Sequence, residues 1–479
     1  MKNTPRPEDV ESLALQVLLP GFTGTALPDD YRALLEQGLG GICYFGSNTA
    51  DGPAATAALS AAIRGANPRA VVAVDEEGGD VSRLHTSTPS SVLGAAALGA
   101  VDDLELTESV GCWIGAELAE VGITLDLGPV ADVNSNPDNP VIGTRSFGAG
   151  PALVAAHAAA WTRGIQSAGV AACAKHFPGH GDTAIDSHLA LPTIEADLAT
   201  LAERELVPFA AVVGAGVAAV MTSHILVPAL DPDRPATLSP AVLGLLRDRL
   251  GFDGVIVSDA LDMAGASAVH GIPEAAVLAL VAGCDLLCLG PDLPSSMVED
   301  VRAAIASAVG NGRLPVVRLA DAARRVQSMR VPAAAASVGP PDQRRQRDAV
   351  APTLLVERDL PDLAGALVVS VETVANIAVG AVAWGIAPDH RLDPASLADG
   401  LPGDLPAGPL VVQVRDAHRR PEVRAFLASL AGEGRSVVVV EWGWPGAYDV
   451  GLARICARGS SGPGVAAVVD RLREAGWTR

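Results

Sequence analysis

The sequence is poor in four things, and each scarcity removes a class of answer. Aromatic residues make up only 3% of the 479 positions, so the core has to be assembled from many small aliphatic contacts rather than a few large rings. Positive charge is short: 34 Lys and Arg stand against 55 Asp and Glu, for a formal net charge of -21. Such a chain lacks the basic face that nucleic acid or an anionic membrane surface demands. Both are excluded as partners, and a neutral or locally recognised ligand is expected. Cysteines number six, and Cys43, Cys173, Cys284 and Cys288 lie within apolar runs, the usual place for free buried thiols. Nothing pairs with Cys284 and Cys288 at zinc-site spacing. Long hydrophobic runs are missing too, so no membrane span is expected. Residues 1–16 mix charges and prolines without the apolar segment of a secretory leader, and the expected compartment is the cytoplasm.

What is present is a repeating pattern. Short apolar runs at 40–45, 70–74, 123–127, 170–174, 217–221, 254–257 and 285–289 read as strands. Alanine-rich amphipathic stretches lie between them, at 54–64, 104–120, 151–167, 196–213, 240–250, 273–282 and 297–309. An eighth strand at 18–22 competes with a helix at 11–19, and periodicity leaves that choice open. Strand and helix alternating at this spacing imply parallel βα units, and about eight of them imply a closed (β/α)8 TIM-like barrel. The barrel is expected to span 1–332. An alanine- and proline-rich linker follows at 333–341, then a smaller α/β layered, sandwich-like domain at 342–479 with apolar runs at 367–371, 410–414 and 436–440 and a helix near 420–431.

Polar residues fall where a barrel would use them. Asp75, Asp126, Asp132, Lys175, His176, His224 and Asp259 each follow an apolar run, and strand C-terminal ends share one face of a barrel. The densest stretch, 173–188, packs Lys175, His176, His180 and His188 with Asp182 and Asp186 around glycines. Asp186 and His188 stand two apart, so the carboxylate can hold the imidazole as an acid/base pair; an Asx-turn with a solvated histidine is the plainer alternative. A metal reading of His176, His180, Asp182 and His188 competes, but Pro178, Gly179 and Gly181 break the helix that would align the first two. Asp259, directly after the strand 254–257, is placed to act as a nucleophile or to stabilise a cationic transition state, whereas Asp262 suits a helix cap. Two further stretches, 74–83 and 134–148, carry acids and arginines in tight turns, residues suited to fixing ligand oxygens or equally to local salt bridges.

Taken together, these strings resemble the glycoside hydrolase family 3 β-N-acetylglucosaminidases of bacteria. The resemblance rests on Lys-His-Phe-Pro-Gly-His-Gly-Asp-Thr-x-x-Asp-Ser-His at 175–188, Asp-x-Glu-Gly-Gly at 75–79, Asn-Pro-x-Asn-Pro-Val-Ile-Gly-x-Arg-Ser-Phe-Gly at 136–148, Met-Thr-Ser-His at 221–224 and Ser-Asp-Ala-Leu-Asp-Met at 258–263. It covers roughly residues 10 to 330. It implies a retaining, exo-acting hydrolase with no cofactor and no metal, acting on a small carbohydrate from peptidoglycan or chitin. In that scheme Asp259 is the nucleophile and His188 the acid/base, supported by Asp186. Asp75, Arg83, Arg145, Lys175 and His176 hold the terminal sugar, and Met221 and His224 line the same pocket.

A histidine acid/base does not repel an anion as a carboxylate would, so inorganic phosphate is an alternative acceptor and phosphorolysis an alternative reaction. β-Glucosidase side activity, a metal-dependent hydrolase and a non-catalytic sugar-binding protein are the remaining readings; monomer and homodimer are both open. One departure stands out: Asp80 occupies a position where many relatives have arginine, which removes a second basic contact. The glycines at 179 and 181 are expected to form a hinge that lets 179–188 move.

Overall fold

The computed structural model describes residues 7–185, 191–329, 339–340, 342–373, 378–380, 382–403 and 405–479. Its first sheet contains β1 (Leu18–Pro20), β2 (Gly41–Tyr44), β3 (Val71–Val74), β4 (Leu125–Asp126), β5 (Ala171–Phe177) and β6 (Ala219–Thr222). A small antiparallel hairpin, β7 (Leu226–Val227) with β8 (Asp231–Pro235), interrupts the series before β9 (Val255–Ser258) and β10 (Leu286–Gly290) complete it. All neighbours in this sheet are parallel, in the order β1-β10-β9-β6-β5-β4-β3-β2, a nearly closed eight-stranded barrel. Both readings of the N-terminal stretch hold in part, because a helix at Pro7–Gln16 leads directly into β1. At the seam between β1 and β2 the backbones touch: Gly40 N donates to Leu15 O at 3.0 Å. A Cβ on Gly40 would lie 2.3 Å from the Gln16 carbonyl oxygen, so only glycine fits.

Strand alternation sorts the side chains. Leu19, Cys43, Ala73, Cys173, Met221, Val257 and Cys288 fill the barrel interior, while Leu18, Ile42, Val72, Val220, Ile256 and Leu287 face the helices. Small residues dominate the inner set, as a closed barrel interior requires. The helix Leu104–Glu120 starts where Asp103 accepts a hydrogen bond from Leu106 N, a normal N-cap. The helices expected at 196–213 and 240–250 are each interrupted by a π turn, at Leu201–Glu205 and Leu245–Arg249.

The second sheet holds six strands, three more than the apolar runs announced: β11 (Leu355–Glu357), β12 (Leu367–Val371), β13 (His390–Leu392), β14 (Leu410–Val414), β15 (Val437–Glu441) and β16 (Ala453–Cys456). Strands β11 and β13 are short edge strands with polar residues, which is why they carry no apolar signature. The order is β11-β16-β15-β14-β12-β13, parallel except for β11. One face packs on the helix Pro421–Gly432 through Val423, Phe426 and Leu427. The other packs on Gly462–Glu474 through Val468 and Leu472, giving three layers. Of the linker expected at 333–341, only Gly339 and Pro340 are described, and both are exposed. Beyond it, Gln346 and Val350 on the helix Gln343–Val350 turn back onto the first sheet's side: Leu93 N donates to Gln346 Oε1 at 3.0 Å, and Val350 joins the barrel's outer core.

Candidate active site

The C-terminal ends of the barrel strands deliver their polar residues to one mouth. Asp75 and Glu77 follow β3, Lys175 and His176 lie in the last turn of β5, Met221 is in β6, and Asp259 is the residue after β9. Strand β5 runs to Phe177, three residues past the expected end at 174, and its register against β6 shifts between Ala174 and Phe177. Lys175 and His176 are thus strand residues, rigidly placed, not loop residues. A cavity of about 210 Å³ opens here, walled by Asp75, Lys175, His176, Asp259, Met221 and Cys288 among others.

Buried ion pairs set the floor of this cavity. Lys175, only 1% exposed, directs Nζ to Asp75 Oδ1 at 2.5 Å and to Glu77 Oε1 at 2.7 Å. Arg145, 6% exposed, grips Glu77 at two points, Nε to Oε2 at 2.9 Å and Nη2 to Oε1 at 2.7 Å, and donates Nη1 to Val141 O. Burial alone would raise the Glu77 carboxyl, but Arg145 and Lys175 outweigh it and hold it well below the usual carboxylate range. Burial would likewise lower the Lys175 ammonium, and Asp75 with Glu77 drives it upward instead. Lys175 therefore stays charged, with one of its three donors left for a ligand. Beside this cluster Asp126 accepts Glu76 N at 3.0 Å, and burial pushes its carboxyl well above the ordinary value.

A second carboxylate organises the histidines. Asp132 Oδ2 pairs with His176 Nδ1 at 2.7 Å, while Oδ1 accepts His180 N at 2.7 Å. His180 Nδ1 in turn meets Thr183 Oγ1 at 2.7 Å. Burial, with a contribution from His176, lowers the His180 imidazole to about 4, so it is neutral at physiological pH. The glycines of this loop allow close approach: a Cβ on Gly181 would lie 1.8 Å from Val133 O. Arg204 pins the loop further, reaching Asp182 Oδ2 and Glu205 Oε1, both at 2.6 Å. Asp186 and His188 lie outside the described residues, as do positions 186–188 of the segment expected to move.

After β9, Asp259 Oδ1 accepts Ala260 N at 2.8 Å, and Asp259 N donates to Thr222 Oγ1 at 3.3 Å. His224 sits behind this turn, fully buried. Its Nε2 lies 2.9 Å from Ala260 O, to which it can only donate, and Nδ1 lies 2.9 Å from Thr237 Oγ1. It supports the turn that carries Asp259 from below, whereas Met221 reaches the cavity wall.

The family model for the glycosyl hydrolase family 3 N terminal domain matches residues 16–329. The chain belongs to glycoside hydrolase family 3. Its curated relatives include a beta-hexosaminidase of Methylococcus capsulatus, 38% identical over 297 residues, 60% of this chain and 86% of that protein. Beta-hexosaminidase A of Pseudoalteromonas piscicida is 34% identical over 333 residues, 64% of this chain but only 56% of that longer protein. Among solved structures, a glycoside hydrolase family 3 beta-N-acetylglucosaminidase from Paenibacillus sp. str. FPU-7 matches with a TM-score of 0.83 and 32% identity, covering 97% of this chain and 96% of that one. That likeness extends over both sheets.

In this family 3 chain a turn between β12 and β13 of the second sheet reaches the cavity. Arg83 donates Nη2 to Ala378 O at 2.7 Å and Nη1 to Val379 O at 3.3 Å, and Ala378 forms part of the cavity wall. Asp80, the departure from the pattern expected from the resemblance, is a half-buried bolt: Oδ2 accepts Thr144 Oγ1 at 2.7 Å and Oδ1 accepts Ser460 N at 2.9 Å. Asp132 and the stretch holding Glu77 were expected at the mouth but given no role, and Ala378 was not expected at all. The acids stood in plain view after strand ends, but their partners lie far along the chain, and Ala378 carries no chemical signal at all.

Proposed function

We propose that the chain is a retaining, exo-acting β-N-acetylglucosaminidase that removes terminal β-linked N-acetylglucosamine from peptidoglycan- or chitin-derived oligosaccharides. The observation that carries this is Asp259 directly after β9, lining one cavity together with Lys175, His176 and Asp75. A nucleophile needs to face a site that fixes the sugar ring, and these groups offer charged and neutral donors and acceptors to its hydroxyls. Asp259 attacks the anomeric carbon and forms a glycosyl-enzyme, His188 protonates the departing oxygen and then takes a proton from the incoming water, and Asp186 orients it. The relatives bear the names of hydrolases, which favours water over phosphate as the acceptor. We place the catalytic unit at 1–332 and the second unit at 342–479, joined by 333–341. The proposed compartment is the cytoplasm; among the described residues no helix is long and apolar enough to cross a membrane.

The deciding experiment uses Asp259→Asn with an aryl N-acetylglucosaminide. Turnover should vanish while the circular dichroism spectrum and Tm stay unchanged. Near wild-type turnover removes Asp259 from the nucleophile role. Product analysis with wild type should yield free N-acetylglucosamine whether or not phosphate is present.

A further inference from the structure

The second sheet carries a ligand-site geometry of its own. Leaving out the antiparallel edge strand β11, its order is β13-β12-β14-β15-β16. From β12 the chain crosses to β13 on one side and then returns past it to β14 on the other. The loops leaving β12 and β14 therefore diverge, and a crevice opens at the strands' C-terminal ends. A cavity of about 300 Å³ occupies that crevice, walled by Thr373 after β12, Arg415 after β14 and Gly443 after β15, with Arg419 and Arg420 at its side.

Its chemistry is cationic. Arg415 is 9% exposed, and among the described residues its Nε and Nη2 have no hydrogen-bond partner. The guanidinium stacks on Trp384 with 4.5 Å between Cζ and the ring centre, which fixes its plane. The buried Thr373 hydroxyl and Arg419 Nε also have no partner among the described residues. The acids nearby are engaged elsewhere. Asp80 serves Thr144 and Ser460 and stands 4.0 Å from Arg415 Nη2. Asp416 Oδ1 accepts Trp444 N, and Oδ2 pairs with Arg419 Nη2, both at 3.0 Å. A buried guanidinium with two donors in one plane that make no hydrogen bond among the described residues, and whose printed acidic neighbour Asp80 stands 4.0 Å away, matches the two oxygens of a carboxylate or phosphate.

We propose that this crevice is a binding site for a small oxyanion, a carboxylate or a phosphate, held by Arg415 with Arg419, Arg420 and Thr373. It is separate from the catalytic cavity but shares a wall with it. Pro140, Thr144 and Val379 face the crevice, and their chain neighbours Val141, Arg145 and Ala378 face the cavity. The anion is a resident or regulatory ligand of the second unit and takes no part in glycosyl transfer. Nothing in this depends on the hydrolase reading, since binding is read without turnover.

The test is isothermal titration calorimetry on the full chain with inorganic phosphate and, separately, acetate, against chloride at equal ionic strength. The expected result is saturable binding of at least one of the two anions, with a matching rise in Tm. Affinity should fall about tenfold or more in Arg415→Gln, the loss of one charge-assisted two-point contact. Should that variant fail to fold, Arg420→Gln decides the matter by the same fall. Phosphate binding alone assigns the site to phosphate, and binding of both assigns it to oxyanions generally. Absence of saturable binding to wild type, or affinities unchanged in both variants, overturns the proposal.

Discussion

Glu77 and Arg145, 68 residues apart, form a two-point ion pair in the wall of the candidate cavity. The same carboxylate holds Lys175, so one buried acid neutralises two buried cations. Removing it strips Arg145 of its two-point partner and leaves Lys175 with Asp75 alone. Glu77→Ala should cost about 3–5 kcal/mol in urea denaturation, the usual penalty for breaking a buried pair from one side; a loss below about 1 kcal/mol would count against the role assigned to it. Because the folded carboxyl is held below its unfolded value of 4.5, its contribution is present above that pH and is lost as pH falls.

Glu205 behaves in the opposite sense. It is buried in the π turn beneath Gly179, and burial raises its carboxyl to about 7 despite Arg204. The unfolded chain ionises near 4.5 while the folded chain keeps the proton, so stability declines between about 4.5 and 7 by up to about 1.4 kcal/mol per pH unit. Glu205→Gln should flatten that decline and raise Tm at pH 7.5 relative to wild type. Parallel pH–Tm curves for the two proteins would contradict the assignment.

Asp80 bolts the barrel to the second unit through Thr144 and Ser460. Asp80→Ala should destabilise the chain by about 3 kcal/mol, since it strips two donors of their acceptor and removes the carboxylate nearest Arg415. Asp80→Asn, which keeps an acceptor, should lose less. Limited proteolysis would report whether cleavage at the junction speeds up in the alanine variant, and equal rates would deny the bolt.

His188→Ala should slow substrates with poor leaving groups far more than activated aryl glycosides, because an activated group departs with little protonation. Comparing kcat/KM across a series of aryl N-acetylglucosaminides reads this directly. Losses independent of the leaving group would argue against an acid role.

Much of this was legible in the chain itself. Apolar runs at regular spacing specify parallel βα units because burial on both faces demands continuous aliphatic strands, and polar residues directly after those runs must reach one mouth. Asp75, Lys175, His176 and Asp259 follow from that rule alone. The pairing of the mouth residues did not: Glu77 with Arg145 and Lys175, Asp132 with His176, and Arg83 with Ala378 join positions whose proximity is created only by closing the barrel and docking the second sheet. The same holds for Gly179 and Gly181, whose closeness to Glu205 and Val133 comes from parts of the chain far from the loop. Residue type and periodicity determine which groups face the site, because they act locally. Tertiary packing decides which of those groups meet, which stay charged and which are spent holding the others in place.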